Sequence, residues 1–258
     1  MRRKAVALVI SLSLAATFGG CGSKEKPYEK YVAAQETLAQ AEGIKFETEG
    51  SVKVGISGLT ITMDLDMDGA VKKVEDSDDM DMSMEMEMGI MGQNLEMDFW
   101  YNDGYYYMDT MGEKVKYPME TGDMQDKLES QLGMLELSED DFKSIEAQKD
   151  GDTTKLIYIM DGDKMQSMID LIMGLVNQQT SADNMEFSLE EVKGTLVVDK
   201  DNRPLSNELS MQMQMTADGQ QVDMDMDMDI TYQEIGKDVE VTFPDFSQFS
   251  ESEDPAAA

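Results

Sequence analysis

The chain has 258 residues, enough for one large all-β domain or two small ones, and it carries a formal charge of −33 with no histidine. That field repels phosphate backbones and anionic headgroups and so argues against nucleic acid as a partner, while the missing imidazole removes histidine metal sites, Ser-His triads and the usual general base. Hydrophobic residues still make up 41% of the chain, so a core can form and the acidity does not by itself mean disorder.

The first segment, MRRKAVALVISLSLAATFGGC, has a basic start, an apolar run from Ala5 to Phe18, and small residues before Cys21, the single cysteine. The run is too short to span a membrane and has the flanks of a secretory signal. The block Phe18-Gly19-Gly20-Cys21 resembles a bacterial lipobox, with Phe18 where leucine is usual. The expectation is that residues 1–20 are removed and Cys21 is lipidated. That would anchor the chain on the extracytoplasmic face of the bacterial cell membrane, since two acyl chains suffice for stable anchoring. An ordinary secretory signal would instead leave a stray thiol there.

Residues 21–26 read as a tether. Pro27 suits a first helical turn, and Tyr28, Tyr31, Val32, Gln35, Leu38 and Glu42 follow helical spacing up to Gly43. Strands follow: Ile44 to Ile56, a turn at Ser57-Gly58, and Leu59 to Asp68. Asp76 to Asp78 then lead into a methionine-rich strand. Leu95, Met97, Phe99 and Tyr101 form the next row, Asn102-Asp103-Gly104 is a hairpin turn, and Met111-Gly112 turns again. A helix fits 122–135, with Met124, Leu128, Leu132 and Leu135 on one face. Phe142 to Gln148 and Thr154 to Met160 read as a hairpin. Met165, Met168, Ile169, Ile172, Met173 and Val176 fall at i, i+3, i+4, i+7, i+8 and i+11, the strongest helical spacing in the chain. After a loop at 177–184 come strands at 185–198, 205–216, 221–233 and 239–243, and a frayed end from Pro244.

Three stretches alternate methionine with acids: ITMDLDMDG (61–69), DMDMSMEMEMGIM (79–91) and VDMDMDMDI (222–230). A period of two puts the methionines on one face of a strand and the carboxylates on the other. A helix would scatter them around its circumference. Methionine, at 26 residues, can be plain core filler or the pliable lining of a ligand site, because its flexible thioether repacks around variable apolar shapes. The candidate lining is Met82, Met84, Met86, Met97, Met165, Met168, Met173, Met213, Met224, Met226 and Met228. Met-x-Met spacing also suits copper(I), although the same ladders serve equally well as core.

Asp64, Asp66, Asp68, Gly69 and Glu75 match the calcium-loop pattern, yet a strand-like run precedes them, so a β-turn at Asp68-Gly69 is the default. The acid rows read as a solvated face that associates loosely with divalent cations, with no firm metal site or cofactor. The aromatics around Asn102-Asp103-Gly104 are explained by cross-strand packing, with a cavity mouth as the functional alternative.

The element order has no βαβ alternation and predicts a mainly β (α+β) fold. This is one large curved antiparallel sheet, a half-barrel with helices packed on its concave face, forming a single domain over 27–248 with a disordered tail at 249–258. The lipobox, the early helix, the hairpin FWYNDGYYYMDTMGEKVKYP and the late VTFP resemble bacterial lipoproteins of the LolA/LppX type, and an uncharacterised Gram-positive group with that half-barrel. The resemblance implies an open barrel that shelters acyl chains or lipoproteins, and it brings no catalytic residues. The expectation is therefore a monomeric, non-catalytic surface lipoprotein that binds an apolar ligand, such as a lipid, as carrier or sensor. The alternative is a structural or interaction lipoprotein with a closed methionine-rich core and a cation-associated acidic surface. No nucleophile–base pair, metal triad or phosphate loop can be identified.

Overall fold

The computed structural model describes residues 26–56, 58–75, 77, 79–119, 137–162, 185–217 and 220–252. Pro27 opens helix α1 (Pro27–Gln40), where its missing N–H costs nothing, and the Glu29 carboxylate accepts the backbone N–H of Lys26 at 3.2 Å. Tyr31, Ala34 and Leu38, at i, i+3 and i+7, are its buried stripe.

The strands are β1 (Gly43–Ile56), β2 (Leu59–Lys73), β3 (Met80–Ile90), β4 (Gln93–Asn102), β5 (Tyr105–Thr110), β6 (Glu113–Pro118), β7 (Phe142–Asp150), β8 (Thr153–Asp161), β9 (Met185–Val198), β10 (Pro204–Ala217), β11 (Gln220–Ile235) and β12 (Ser250–Glu251). They form one open, curved 12-stranded sheet in the order β12-β6-β5-β4-β3-β2-β1-β11-β10-β9-β8-β7. Two meanders grow outward from β1 and β11, which pair with each other antiparallel and so join the first and last long strands. Among the described strands only β12 on β6 pairs parallel. Asp103-Gly104 and Met111-Gly112 carry φ values of 51 and 73, and 53 and 91, the twist that two-residue hairpins require.

Packing concentrates at two places on one face, here termed the inner face. Under α1, Tyr31 and Ala34 meet Leu156, Tyr158, Met160, Leu189, Val192, Leu196 and Val198. Tyr31 stands edge-on to Phe142 and Tyr158, at 5.2 and 5.4 Å between ring centroids. Toward the other edge, Met80, Met82, Tyr101, Tyr117 and Met119 form a second cluster. Two glycines let aromatic rings lie flat on the sheet. A Cβ on Gly69 would stand 2.3 Å from Phe46 Cζ, and one on Gly194 would stand 2.1 Å from Tyr158 Cζ.

The mainly β architecture matches expectation, and α1 packs on the methionine-bearing face near β7 and β10. The helices expected over 122–135 and 165–176, and the loop at 177–184, lie outside the described residues. Three local expectations change. The turn at Asp68-Gly69 is continuous strand, because Gly69 is needed beneath the Phe46 ring. Residues 239–243 form no strand, because both edges of β1 and of β11 are already occupied; Val239 instead buries fully against Gly43. The ordered chain also runs past 248: Phe249 is buried, and Ser250 and Glu251 pair with Val115 and Lys116.

Candidate functional site

Register converts the alternating sequence into two chemically opposite faces. Across the inner face, Met97, Met86, Met67, Thr48, Ile230, Asn207, Leu196 and Leu156 stand in one transverse row. Two rows further along, beyond the row of Gly50, stand Ile90, Met63, Val52, Met226, Met211, Val192 and Met160. Of the residues expected to line a ligand site, Met82 is buried at 3% exposure within the second cluster. Met84, Met86, Met97, Met213, Met224, Met226 and Met228 are half-buried on this same face. Met165, Met168 and Met173 lie outside the described residues, as does Cys21. Between the two closed clusters the face is therefore a band of half-buried thioethers and aliphatic side chains on β10, β11, β1, β2 and β3.

A few polar groups interrupt the band, and sequence reading did not single them out. Thr48 is 2% exposed, and its Oγ1 has no hydrogen-bond partner. One strand beyond Ile230 in the same row, Asn207 accepts the Tyr158 hydroxyl at 3.1 Å. Burial pushes the Tyr232 hydroxyl up to about 12 and raises those of Tyr31 and Tyr158 further, so these phenols stay neutral. The alternation pattern held a signal that could have singled out Thr48, a hydroxyl at an inward position between Phe46 and Val52. Its burial, by contrast, depended on tertiary contacts.

The outer face is acidic in continuous lines. Glu208, Asp229, Glu49, Asp66, Glu87 and Glu96 stand directly opposite one another on six successive strands. A second line joins Glu47, Asp68, Glu85, Asp98 and Asp109 and ends at Lys114, whose ammonium lies 3.5 Å from Asp109. Burial, followed by the carboxylates of Glu85, Asp109 and Glu96, holds the Asp98 carboxyl above its ordinary range, with Lys114 pulling the other way. Asp64, Asp66 and Asp68 belong to this face along β2, two residues apart and hence roughly 7 Å apart, too far to wrap one calcium ion. Among the described residues no cluster of acids, histidine or cysteine is arranged to hold a metal.

At one end of the outer face, Trp100 and Tyr107 are covered by Phe246 and Phe249, with Tyr107 and Phe246 stacked at 3.7 Å. Trp100 shares parity with Asp98, so its place opposite Tyr101 was readable; the tail that covers it was not.

A trough of about 520 Å³ also opens on the outer face, lined by Ile157 and Ile159, Lys193 and Thr195, Glu208 and Ser210, and Asp227 and Asp229. Lys193 is already engaged by Glu191 at 2.5 Å, and Asp227 has Lys53 at 3.8 Å. Its charged walls stay hydrated, so an apolar ligand would gain little there and lose solvation of carboxylates.

Family DUF6612, a family of unknown function, matches residues 24–246, and the chain belongs to it. No curated protein matches. Among solved structures, the chain is similar to the lipoprotein LppX of Mycobacterium tuberculosis at 10% identity and TM-score 0.43, covering 84% of this chain and 98% of that one. It is also similar to a DUF1329 family protein from Desulfovibrio piger (11% identity, TM-score 0.26, 85% of this chain and 96% of that one). A domain from Vibrio parahaemolyticus assigned to outer membrane lipoprotein sorting matches at 8% identity and TM-score 0.19, covering 86% of this chain and 97% of that one. The LppX and lipoprotein-sorting types are those that the sequence resembles. At these identities and TM-scores the likeness says nothing of ligand or activity.

Proposed function

As a member of a family without an assigned function, the chain must be read from its own surface, and we propose that it is a non-catalytic cell-envelope lipoprotein that binds an apolar ligand, of the class of lipid acyl chains, on the inner face, as carrier or sensor. The observation that carries this reading is the half-buried band of methionines at Met84, Met86, Met97, Met224, Met226 and Met228 between two core clusters, with Met213 packed against the first of them. Valine and isoleucine are better strand formers, so methionine here forgoes β-propensity. What it supplies is a surface of unbranched side chains that can close on itself or open around an alkyl chain with little strain. Leucine would give a more fixed surface of similar volume. Anchoring through Cys21 would hold this face at the membrane from which such a ligand comes. No described helix is long and apolar enough to cross a membrane.

The test is organic extraction and mass spectrometry of protein purified from its own host, with uptake of a fluorescent fatty acid by the delipidated protein. Replacing Met82, Met84, Met226 and Met228 together with leucine is expected to preserve the fold and alter uptake. Host material without lipid, together with no uptake of the probe, would overturn the reading. The structural alternative would then stand, favoured by the unbroken acid lines of the outer face.

A further inference from the structure

We infer that Met211, Met213, Met224 and Met226 form a thioether site for a soft monovalent cation, copper(I) in chemical class. The inference does not rest on the apolar-ligand reading. Register makes Met211 the direct partner of Met226, and Met213 that of Met224, so the four side chains occupy the corners of a rectangle on two adjacent strands. Strand spacing sets one edge at about 4.8 Å, and two residues of rise set the other near 7 Å. Each sulfur lies two bonds beyond its Cβ on a flexible stem, so all four can lean toward the centre of the rectangle and supply a three- or four-sulfur shell.

The frame around the rectangle carries no hard ligand. Val54 and Val52 flank it on β1, and Leu189 and Val192 flank it on β9. Along the strands the next side chains on this face are Leu209 and Met215 on β10 and Val222 and Met228 on β11. With no oxygen or nitrogen side chain in that ring, calcium, magnesium and zinc find no partners, whereas thioethers select copper(I). The same two strands are pinned from the other side, where Gln214 Nε2 donates to Asp223 Oδ1 at 3.1 Å and Gln212 Nε2 to Asp225 Oδ1 at 3.5 Å. All four methionines are half-buried, and Met211 and Met213 pack against the cluster under α1. The charge of −33 raises the local concentration of any cation around them.

The test uses the full chain carrying Cys21→Ser, delipidated, so that neither a thiol nor a bound lipid interferes. Copper(I) is offered anaerobically in competition with bicinchoninate. One equivalent is expected to transfer to the protein, with a sulfur-only first shell by X-ray absorption. The variant M211L/M213L/M224L/M226L should lose that equivalent, binding roughly tenfold or more weaker, while circular dichroism stays unchanged. Should the quadruple variant misfold, the pair M211L/M226L is expected to lower the sulfur count and weaken binding on a folded chain. A control, M63L/M67L/M86L/M88L, removes as many methionines from β2 and β3 and should bind as before. Two results overturn the site: no competition by the starting protein, or equal loss in the control, which would mean diffuse binding by methionine in general.

Discussion

Glu49 stands at the middle of the longest acid line, with Asp229 on one side and Asp66 on the other, both directly opposite it. Like charges opposed across strands destabilise a sheet by about 0.2–1 kcal/mol per pair, so Glu49→Gln, which removes two such contacts, should stabilise the fold by about 0.4–2 kcal/mol. For a domain of this size that corresponds to a rise in Tm of roughly 1–8 °C. Because Glu49 is exposed, the gain must depend on salt: it should be largest at low ionic strength and nearly vanish near 1 M, where the Debye length falls to about 3 Å. Asp227 supplies the contrast. Its strand partners are Ser51 and Ser210, and Lys53 lies 3.8 Å away, so Asp227→Asn removes attraction rather than repulsion and should be neutral or slightly destabilising. The assay is urea unfolding of both variants at two salt concentrations. If Glu49→Gln destabilises the protein, or its effect is the same at both salts, the carboxylates are not repelling one another and the account of the outer face fails.

Three further outcomes follow from named contacts. The Asp98 carboxyl has a raised folded-state pKa, so proton uptake favours the folded form. Stability should rise as pH falls through the window at and just above the ordinary carboxylate range, and Asp98→Asn should flatten that part of the pH–stability curve; an unchanged slope would count against the burial of Asp98 and its contacts with Glu85 and Asp109. Gly69→Ala places a methyl 2.3 Å from Phe46 Cζ and should cost about 1–3 kcal/mol in denaturant titration, whereas a neutral result would mean that the ring is free to move. Cys21→Ala should release the protein into the medium or leave an uncleaved precursor, and unchanged membrane retention with normal processing would refute lipidation.

What the sequence made legible was local. Period-two alternation in 79–91 and 222–230 identified the strands and assigned each methionine and acid to a face, because that assignment depends only on the pleat. Asn102-Asp103-Gly104 identified its hairpin for the same reason. Non-local facts were hidden. Nothing in DMDMDMD says that Asp229 faces both Glu208 and Glu49, since that requires knowing that β11 sits between β10 and β1. The VTFP segment has good strand composition but arrives at strands whose edges are already taken, so composition misleads there. The tail after Pro244 reads as polar and frayed until Phe246 and Phe249 are seen to need Trp100 and Tyr107, well over a hundred residues away.

The repeats pose a register problem that their composition cannot solve. A slip of one residue between β1 and β11 would bring carboxylates onto the inner face and methionines into water, and is strongly opposed. A slip of two would be nearly invisible to these repeats, because Met224, Met226 and Met228 are interchangeable and so are Asp223, Asp225 and Asp227. Register must therefore be set where the repeats stop. Gly69 accepts the Phe46 ring from β1, and two residues of slip along β2 would present Met67 or Val71 instead. Gly194 does the same for Tyr158 between β8 and β9. The Met91-Gly92 turn, with φ of 52 and 81, fixes β3 against β4 by its length. The hydrogen bond from Gly236 N to Gly43 O, at 2.8 Å, closes the end of β11 on the start of β1, next to the fully buried Val239. The methionine face can thus be soft and repetitive because its alignment is held at the ends and at two glycine–aromatic locks. A surface that repacks around different ligands is compatible with one fold only on that condition.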